Sequence, residues 1–284
     1  MSNLIIDADS IVYAAAFAAQ EWAVLNAEGE VQVVYFSKSD ALANMQEGDT
    51  LDIIGKDSRI AEKACDLIIE NMLSDLRENH EVQIDDIEVW LTRPDIRSNF
   101  RYSVTDTYKA NRKDFVKPVH YNTVRDYLTA NYMANMSREG WEADDEVSAI
   151  GWQSWLDTYP EKDVIIASID KDLDTCPGWH YSWAGYNRKS KYYHLTLSEA
   201  RHIFWVSVLT GDKADNIIGL KGIGPKKADK ALEGCSTDKE YYLRCLDMYL
   251  DKIGEEGGKE IMHMNCKLLY LMRHPEDKGW EAPL

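Results

Sequence analysis

No apolar run in this 284-residue chain approaches the roughly 20 residues needed to cross a bilayer, so no membrane span and no membrane partner is expected. The opening Met1-Ser2-Asn3-Leu4-Ile5-Ile6-Asp7 has no basic segment and reaches an acid too early for a signal peptide. Five cysteines, at 65, 176, 235, 245 and 266, form no CxxC pair and are odd in number. Reduced thiols in a cytoplasmic protein are the simplest expectation. Seven histidines and no paired cysteines argue against zinc. The GxxxxGK(S/T) phosphate loop is missing, and so is any internal repeat or low-complexity tract. Basic residues are few, 32 Lys and Arg against 49 Asp and Glu, and the net charge of −17 alone argues against a nucleic-acid binder.

What is present revises that last exclusion. Hydrophobic residues make up 45% of the chain, enough for one large domain or two smaller ones with a sizeable core. The basic residues gather in two places. Arg93, Arg97, Arg101, Lys109, Arg112, Lys113 and Lys117 outnumber Asp95, Asp106 and Asp114. Lys213, Lys221, Lys226, Lys227 and Lys230 outnumber Asp215 and Asp229. Two basic patches on an acidic body suit a protein that grips a phosphate backbone at chosen points; each patch alone also fits a solvated surface.

The apolar pattern alternates between strands and helices. Leu4-Ile5-Ile6 reads as a buried strand ending at Asp7, followed by a helix over 11–17. A β-rich run covers 31–36, a helix 58–79, and a strand 87–91. The stretch 92–120 has little apolar periodicity and reads as loop plus exposed helix. A helix over 141–156 would bury Val147, Ile150, Trp152 and Trp155, and 163–170 reads as a buried strand. Alternating aromatic and polar residues over 179–195, with Gly185-Tyr186-Asn187 near the turn, suggest a hairpin. From 196 onward the pattern is helical. The expected fold class is α/β: a mostly parallel sheet flanked by helices, then a helical region. Ligands of such sheets bind beyond the carboxyl ends of the strands, where Asp7 and Asp170 both fall.

Acids concentrate where apolar structure should stop: Asp7 and Asp9; Glu142, Asp144, Asp145 and Glu146; Asp170, Asp172 and Asp174; Asp212 and Asp215. Glu142, Asp145 and Glu146 share one helical face by spacing. Asp170 and Asp172 share a side if the strand continues through them, and Asp212 and Asp215 lie about one helical turn apart. Any one pair can be a helix cap or a surface acid. Gathered together, such acids raise each other's pKa, and hard divalent cations with a taste for oxygen relieve that cost. Two such ions about 4 Å apart can activate water and stabilise a leaving oxygen in phosphodiester hydrolysis.

Gly219-Leu220-Lys221-Gly222-Ile223-Gly224-Pro225-Lys226-Lys227 opens a helix. Its glycines permit a close backbone approach and its helix start offers N–H groups to a phosphate. The pattern looks like a helix–hairpin–helix that holds a DNA backbone.

Together these stretches resemble the 5′ nuclease superfamily, which includes flap endonucleases, phage 5′–3′ exonucleases and the 5′ nuclease domain of bacterial DNA polymerase I. The matching segments are Leu4-Ile5-Ile6-Asp7, Phe100-Arg101, Tyr108-Lys109-Ala110-Asn111-Arg112, Glu142-Ala143-Asp144-Asp145, Asp170-Lys171-Asp172-Leu173, and Gly211-Asp212-Lys213-Ala214-Asp215-Asn216-Ile217 with the glycine motif. The length looks most like a free-standing phage exonuclease. The resemblance implies a PIN-like nuclease domain over 1–195, with an arch or clamp at about 93–125. It also implies a helical region over 196–284 with a helix–three-turn–helix.

By the same resemblance, Asp7, Glu142, Asp144 and Asp170 form one Mg²⁺ site. Asp145, Asp172, Asp212 and Asp215 form a second, and Mn²⁺ can substitute at both. Lys109 and Arg112 contact the scissile phosphate. Arg101, Tyr108, Gly222, Gly224, Lys226 and Lys227 bind DNA, and the backbone at Gly219, Gly222 and Gly224 holds K⁺. The implied activity is 5′–3′ exonuclease or flap endonuclease on DNA with a free 5′ end, in phage replication or primer removal in the host cytoplasm.

Several positions depart from the family. Where it has an Asp six residues before Phe-Arg, this chain has Pro94, with Asp95 next to it. Asp95 is either a shifted ligand or a turn acid at the surface. Ala8, Ile218 and the Asp174-Thr175 pair replace residues of turns. Two other readings stay open: an inactive fold that holds branched DNA, and a ribonuclease acting on RNA or an RNA:DNA hybrid.

Overall fold

The computed structural model describes residues 2–95, 98–158, 164–185 and 188–283. Tyr186 and Asn187 of the expected turn, Asp163 at the start of an expected strand, and Arg97 of the first basic patch lie outside the described residues. In chain order the elements are β1 (Ser2–Asp7), α1 (Asp9–Ala18), β2 (Gln20–Leu25), β3 (Val31–Tyr35), α2 (Lys38–Asn44), β4 (Thr50–Gly55), α3 (Ser58–His80) and β5 (Ile84–Leu91). Then come α4 (Arg101–Val104), α5 (Tyr121–Asn131), β6 (Asn135–Met136), α6 (Ala143–Thr158), β7 (Val164–Ala167), β8 (Gly178–Ser182) and β9 (Lys191–Leu195). The last part holds α7 (Leu197–Thr210), β10 (Gly211–Asp212), β11 (Ile217–Ile218), α8 (Pro225–Leu232), α9 (Asp238–Ile253) and α10 (Glu255–Leu269).

The main sheet runs β6-β5-β1-β7-β8-β9, parallel throughout except at β9. β1 is central because it is apolar on both faces. Leu4 and Ile6 point into the cluster made with α1, α3 and α5, while Ile5 points into the cluster made with α6. Parallel pairing sets Ile6 beside Val89 and Ala167. It therefore brings the carboxyl ends of β5, β1 and β7 to one edge, which is where the acids gather. The expected α/β class and mostly parallel sheet are present.

The sequence pattern missed several short elements and misread others. The run at 31–36 is one strand of a separate antiparallel sheet, β3-β2-β4, packed on α2 through Trp22, Val24 and Ala41. β2 and β4 are short and alternate poorly, so periodicity did not reveal them. Among the described residues of 92–120, the helical order includes the single turn of α4 and a 3₁₀ turn at Ala110–Arg112. The next helix, α5, buries Val124, Arg125 and Leu128 against the body. No helix of the described residues is long and apolar enough to cross a membrane. All five cysteines are free.

Helices α7 to α10 share one apolar cluster around Trp205, Tyr249 and Cys266, which also takes in Tyr108 and Trp141 from earlier in the chain. The cluster is tied to the β10–β11 hairpin by contact between backbones. A Cβ on Gly219 would lie 2.2 Å from the Thr210 carbonyl carbon and 2.4 Å from the Gly211 nitrogen. Gly224, in contrast, has φ −104° and open space around it. Gly219→Ala should therefore lower stability by about 2 kcal/mol or more, while Gly224→Ala should stay within about 0.5 kcal/mol of wild type. Urea unfolding of both variants checks the contrast.

Candidate active site: acids at the sheet edge beneath a basic wall

β1 ends in Asp7, whose carboxylate accepts from Ser168 Oγ at 3.1 Å and from the Asp9 amide at 3.4 Å. Ser168 follows β7 directly, and its hydroxyl also accepts from the Asp170 amide at 3.0 Å. The strand does not continue through Asp170 and Asp172, as the spacing had suggested. β7 stops at Ala167, and Asp170 caps a 3₁₀ turn over Lys171–Thr175 by accepting from the Asp172 amide. Leu173, buried, anchors that turn.

The start of α6 supplies the next acids. Thr92, just past β5, caps it from a distance: its Oγ1 accepts from the Ala143 amide at 2.8 Å. Glu142 and Asp144 face the cleft. Asp145 and Glu146 do not, so the expected single acidic face divides. Asp145 is fully buried and takes two bonds of 2.8 Å from Arg101, whose guanidinium also donates to the carbonyls of Leu268 and Tyr270. This corrects two expectations. Asp145 is committed to Arg101 rather than open to an ion, and Arg101, 2% exposed, cannot reach a nucleic-acid backbone. The pair instead ties α6 to the end of α10. Glu146 is held by Arg138.

Asp212 and Asp215 sit on the β10–β11 hairpin rather than on a helix. Asp212 shapes it by accepting from the amides of Ala214 and Asp215. Tyr108-Lys109-Ala110-Asn111-Arg112 docks onto this hairpin. The Lys109 amide donates to the Asp215 carbonyl at 3.0 Å, Asn111 Nδ2 to the Lys213 carbonyl at 2.9 Å, and Arg112 Nε to the Ala214 carbonyl at 3.1 Å. Lys109 holds the left-handed backbone, φ 52°, to make the fit. The Tyr108 hydroxyl is 3.0 Å from both Glu142 and Asp215. Tyr108 is 2% exposed, so its contacts are with these acids and not with the surface, contrary to its expected place among DNA-binding residues.

A cleft of about 690 Å³ lies over this edge. Asp7, Asp9, Glu142, Asp144, Asp170 and Asp215 line it, and Arg93, Lys109, Arg112, Lys117, Arg125 and Lys171 line it with the opposite charge. Lys109 Nζ is 2.6 Å from Glu142 Oε1 and 3.7 Å from Asp215 Oδ2, and Arg112 pairs with Asp215 at 2.6 Å. Lys171 Nζ is 2.6 Å from Asp212 Oδ2. Burial pushes the Glu142 carboxyl up, but Lys109 and Arg101 outweigh it and hold it at about 2. Asp7 has no such partner. Burial, then Asp9 and Asp170, push it up to about 8. Burial, then Asp170, Asp212 and Asp215, push Asp172 to about 7, and burial raises Asp144 well above the carboxylate range.

Among the described residues, no three His, Cys, Asp or Glu side chains converge as a ready-made ion cage. The donor set nevertheless fits a hard divalent cation. The donors are all oxygen, Asp144 Oδ1 is buried with no hydrogen-bond partner, and Asp7 lacks a counter-charge. Lysine ammonium groups now stand between the carboxylates.

Asp95 is exposed in the loop after β5; Pro94 lines the cleft and Asp95 does not. Asp9 was grouped with Asp7 in the sequence but given no role, and Thr92, Arg125 and Ser168 carried no sequence signal. In the glycine motif, Gly224 caps α8 with Pro225 in its first turn, Gly222 has φ 80°, and Lys226 and Lys227 are exposed. Lys227 Nζ donates to the Gly222 carbonyl at 2.8 Å, one of the oxygens expected to face a monovalent cation. Gly219 is packed on backbone and marks the base of the motif.

No protein-family model matches the chain. It is 29% identical over 185 residues to DNA polymerase I of Caldicellulosiruptor bescii, a match covering 59% of this chain and 21% of that one. The chain thus spans about a fifth of the length of that relative. It is 26% identical over 188 residues to the flap endonuclease Xni of Shewanella baltica, covering 61% of this chain and 68% of the relative. Among solved structures, a T5 protein co-crystallised with metal ions shares the fold. The TM-score is 0.55 at 16% identity, over 95% of this chain and 90% of that chain.

The unbalanced acids predict how stability varies with pH. Asp7 has its ordinary value near 3.8 when unfolded and about 8 when folded. The folded chain therefore holds a proton on Asp7 that the unfolded chain loses across that window, so the Asp7 contribution to stability falls as pH rises from about 4 to 8. In EDTA, Asp7→Asn should match wild type near pH 4 and exceed it at pH 8. Denaturant midpoints at the two pH values check the sign.

Proposed function

We propose, from the motifs and fold of the 5′ nuclease superfamily that this chain carries, that it is a metal-dependent nuclease hydrolysing DNA phosphodiester bonds at or near a free 5′ end. One observation carries the reading. Acids from β1, the start of α6, the turn after β7 and the β10–β11 hairpin meet in one cleft, with Lys109 and Arg112 fixed at its wall. The activities named for the relatives, a DNA polymerase I and a flap endonuclease, support it.

Asp7, Glu142, Asp144 and Asp170 are the residues that would hold a first divalent ion, and Asp172, Asp212 and Asp215 a second. Bound there, such ions would supply an activated water and charge stabilisation for the leaving oxygen. The chain contributes the rest. Lys109, pinned by its docked backbone, keeps a cation over Glu142 and Asp215 and can turn it to a non-bridging phosphate oxygen as charge develops. Arg112, half-exposed at its tip, offers a planar donor to the same phosphate. Tyr108 orients Glu142 and Asp215.

Lys226 and Lys227 on α8 carry exposed charge beside the backbone N–H groups at the helix start, a surface suited to the duplex backbone. Mg²⁺ is the ion best matched to the all-oxygen donors. K⁺ at the Gly219–Gly224 backbone is part of the same reading and would have to displace Lys227 from the Gly222 carbonyl. The 5′ ends left by replication primers, in a phage or its host cytoplasm, fit this chemistry.

A 5′-labelled flap duplex incubated with Mg²⁺ should be cut, EDTA should stop the cutting, and an RNA:DNA hybrid run alongside reports substrate class. Asp170→Asn should reduce cleavage by on the order of a hundredfold or more, with duplex binding retained. Wild-type cleavage by this variant, or cleavage in EDTA, would remove the metal site from the account.

A further inference from the structure

Pro94 stands where the resemblance puts an acid at the end of β5, and Asp95 beside it turns outward. The geometry points to Asp9 as the carboxylate that serves that position, with Arg125 as its positioning residue; this rests on the nuclease reading above. Asp9 Oδ1 accepts from the Thr92 amide at 3.2 Å, which sets the Asp9 carboxylate against the end of β5 although it belongs to α1. Arg125, 7% exposed on α5, donates to the same oxygen at 3.3 Å and to the Thr92 carbonyl at 2.5 Å.

Thr92 is thus gripped from both sides, and its hydroxyl caps α6 at the Ala143 amide. Asp9, Arg125 and Thr92 together join α1, the end of β5, α5 and α6. Asp9 lines the same cleft as Asp7, Glu142 and Asp144, whose Oδ1 is buried and without a partner. The Asp9 amide also donates to Asp7. A carboxylate so placed adds negative charge beside the first ion, directly or through water, and Arg125 holds it in that position. The exposed Asp95 can do neither.

The test is a Mn²⁺ titration of the full chain without DNA, read by loss of the free-ion paramagnetic resonance signal. Asp9→Asn preserves the acceptor for the Thr92 amide and should weaken the tighter binding by about tenfold or more, while Asp95→Asn should leave it unchanged. Unaltered affinity in Asp9→Asn, or weakening in Asp95→Asn instead, overturns the assignment. Should Asp9→Asn fail to fold, Arg125→Lys is read in the same titration. It keeps the charge but loses the two-point hold, so weaker Mn²⁺ binding supports the assignment and wild-type affinity overturns it. A wild-type chain that binds no Mn²⁺ at all would remove the nuclease reading itself, and the Asp9 role with it.

Discussion

Crowding of negative charge at one edge of a parallel sheet is the constraint on which the rest of this structure depends. Six carboxylates line a single cleft, and like charges at short range resist joint ionisation. The fold answers in three ways. Asp145 and Glu146 are withdrawn into arginine pairs. Glu142, Asp212 and Asp215 are matched to Lys109, Lys171 and Arg112. Asp7 and Asp144 are left without a matching cation, which is why burial drives both carboxyls upward. Groups left unbalanced in this way fit the divalent-ion site proposed above.

The same constraint joins two motifs that lie about 100 residues apart in the sequence. Tyr108–Arg112 and Gly211–Asn216 are one docked unit. Asn216 Nδ2 donates to the Thr107 carbonyl as Asn111 and Arg112 donate to the hairpin. The left-handed Lys109 and Asn216 are the hinges of that contact. Holding the lysine by its backbone rather than by its ammonium leaves the charged end able to change partner, from an acid to a phosphate. The glycine motif extends the same hairpin: Gly211 and Gly219 touch backbone to backbone, so the surface carried by α8 is set in place relative to the acids.

Much of this was legible in the sequence, for identifiable reasons. Leu4-Ile5-Ile6-Asp7 could be read because a strand buried on both faces is a continuous apolar run with an abrupt polar stop. The acid groups could be read because strands and helices end where charge begins. Asp145 could not be separated from Asp144, because which of two adjacent helix positions faces the cleft depends on how the helix start is held, and the distant Thr92, together with Asp145 accepting from the Glu142 amide, holds it. Arg101 looked like a surface cation because nothing local shows that its partners lie on α6 and at the end of α10. Asp9 and Arg125 are 116 residues apart, so their pairing exists only in the fold. β2 and β4 were lost because each is short, and β2, buried along most of its length, shows no alternation to register.

The claim that unites these features is that the lysines stand among the acids in place of divalent ions. It is tested most directly by anomalous diffraction from crystals of the protein soaked in Mn²⁺. The account predicts two peaks, one in the cleft beside Asp7, Glu142, Asp144 and Asp170 and one beside Asp172, Asp212 and Asp215. It also predicts that Lys109 Nζ will be displaced from Glu142. A cleft without anomalous signal, with Lys109 and Lys171 still seated on their carboxylates, would contradict it.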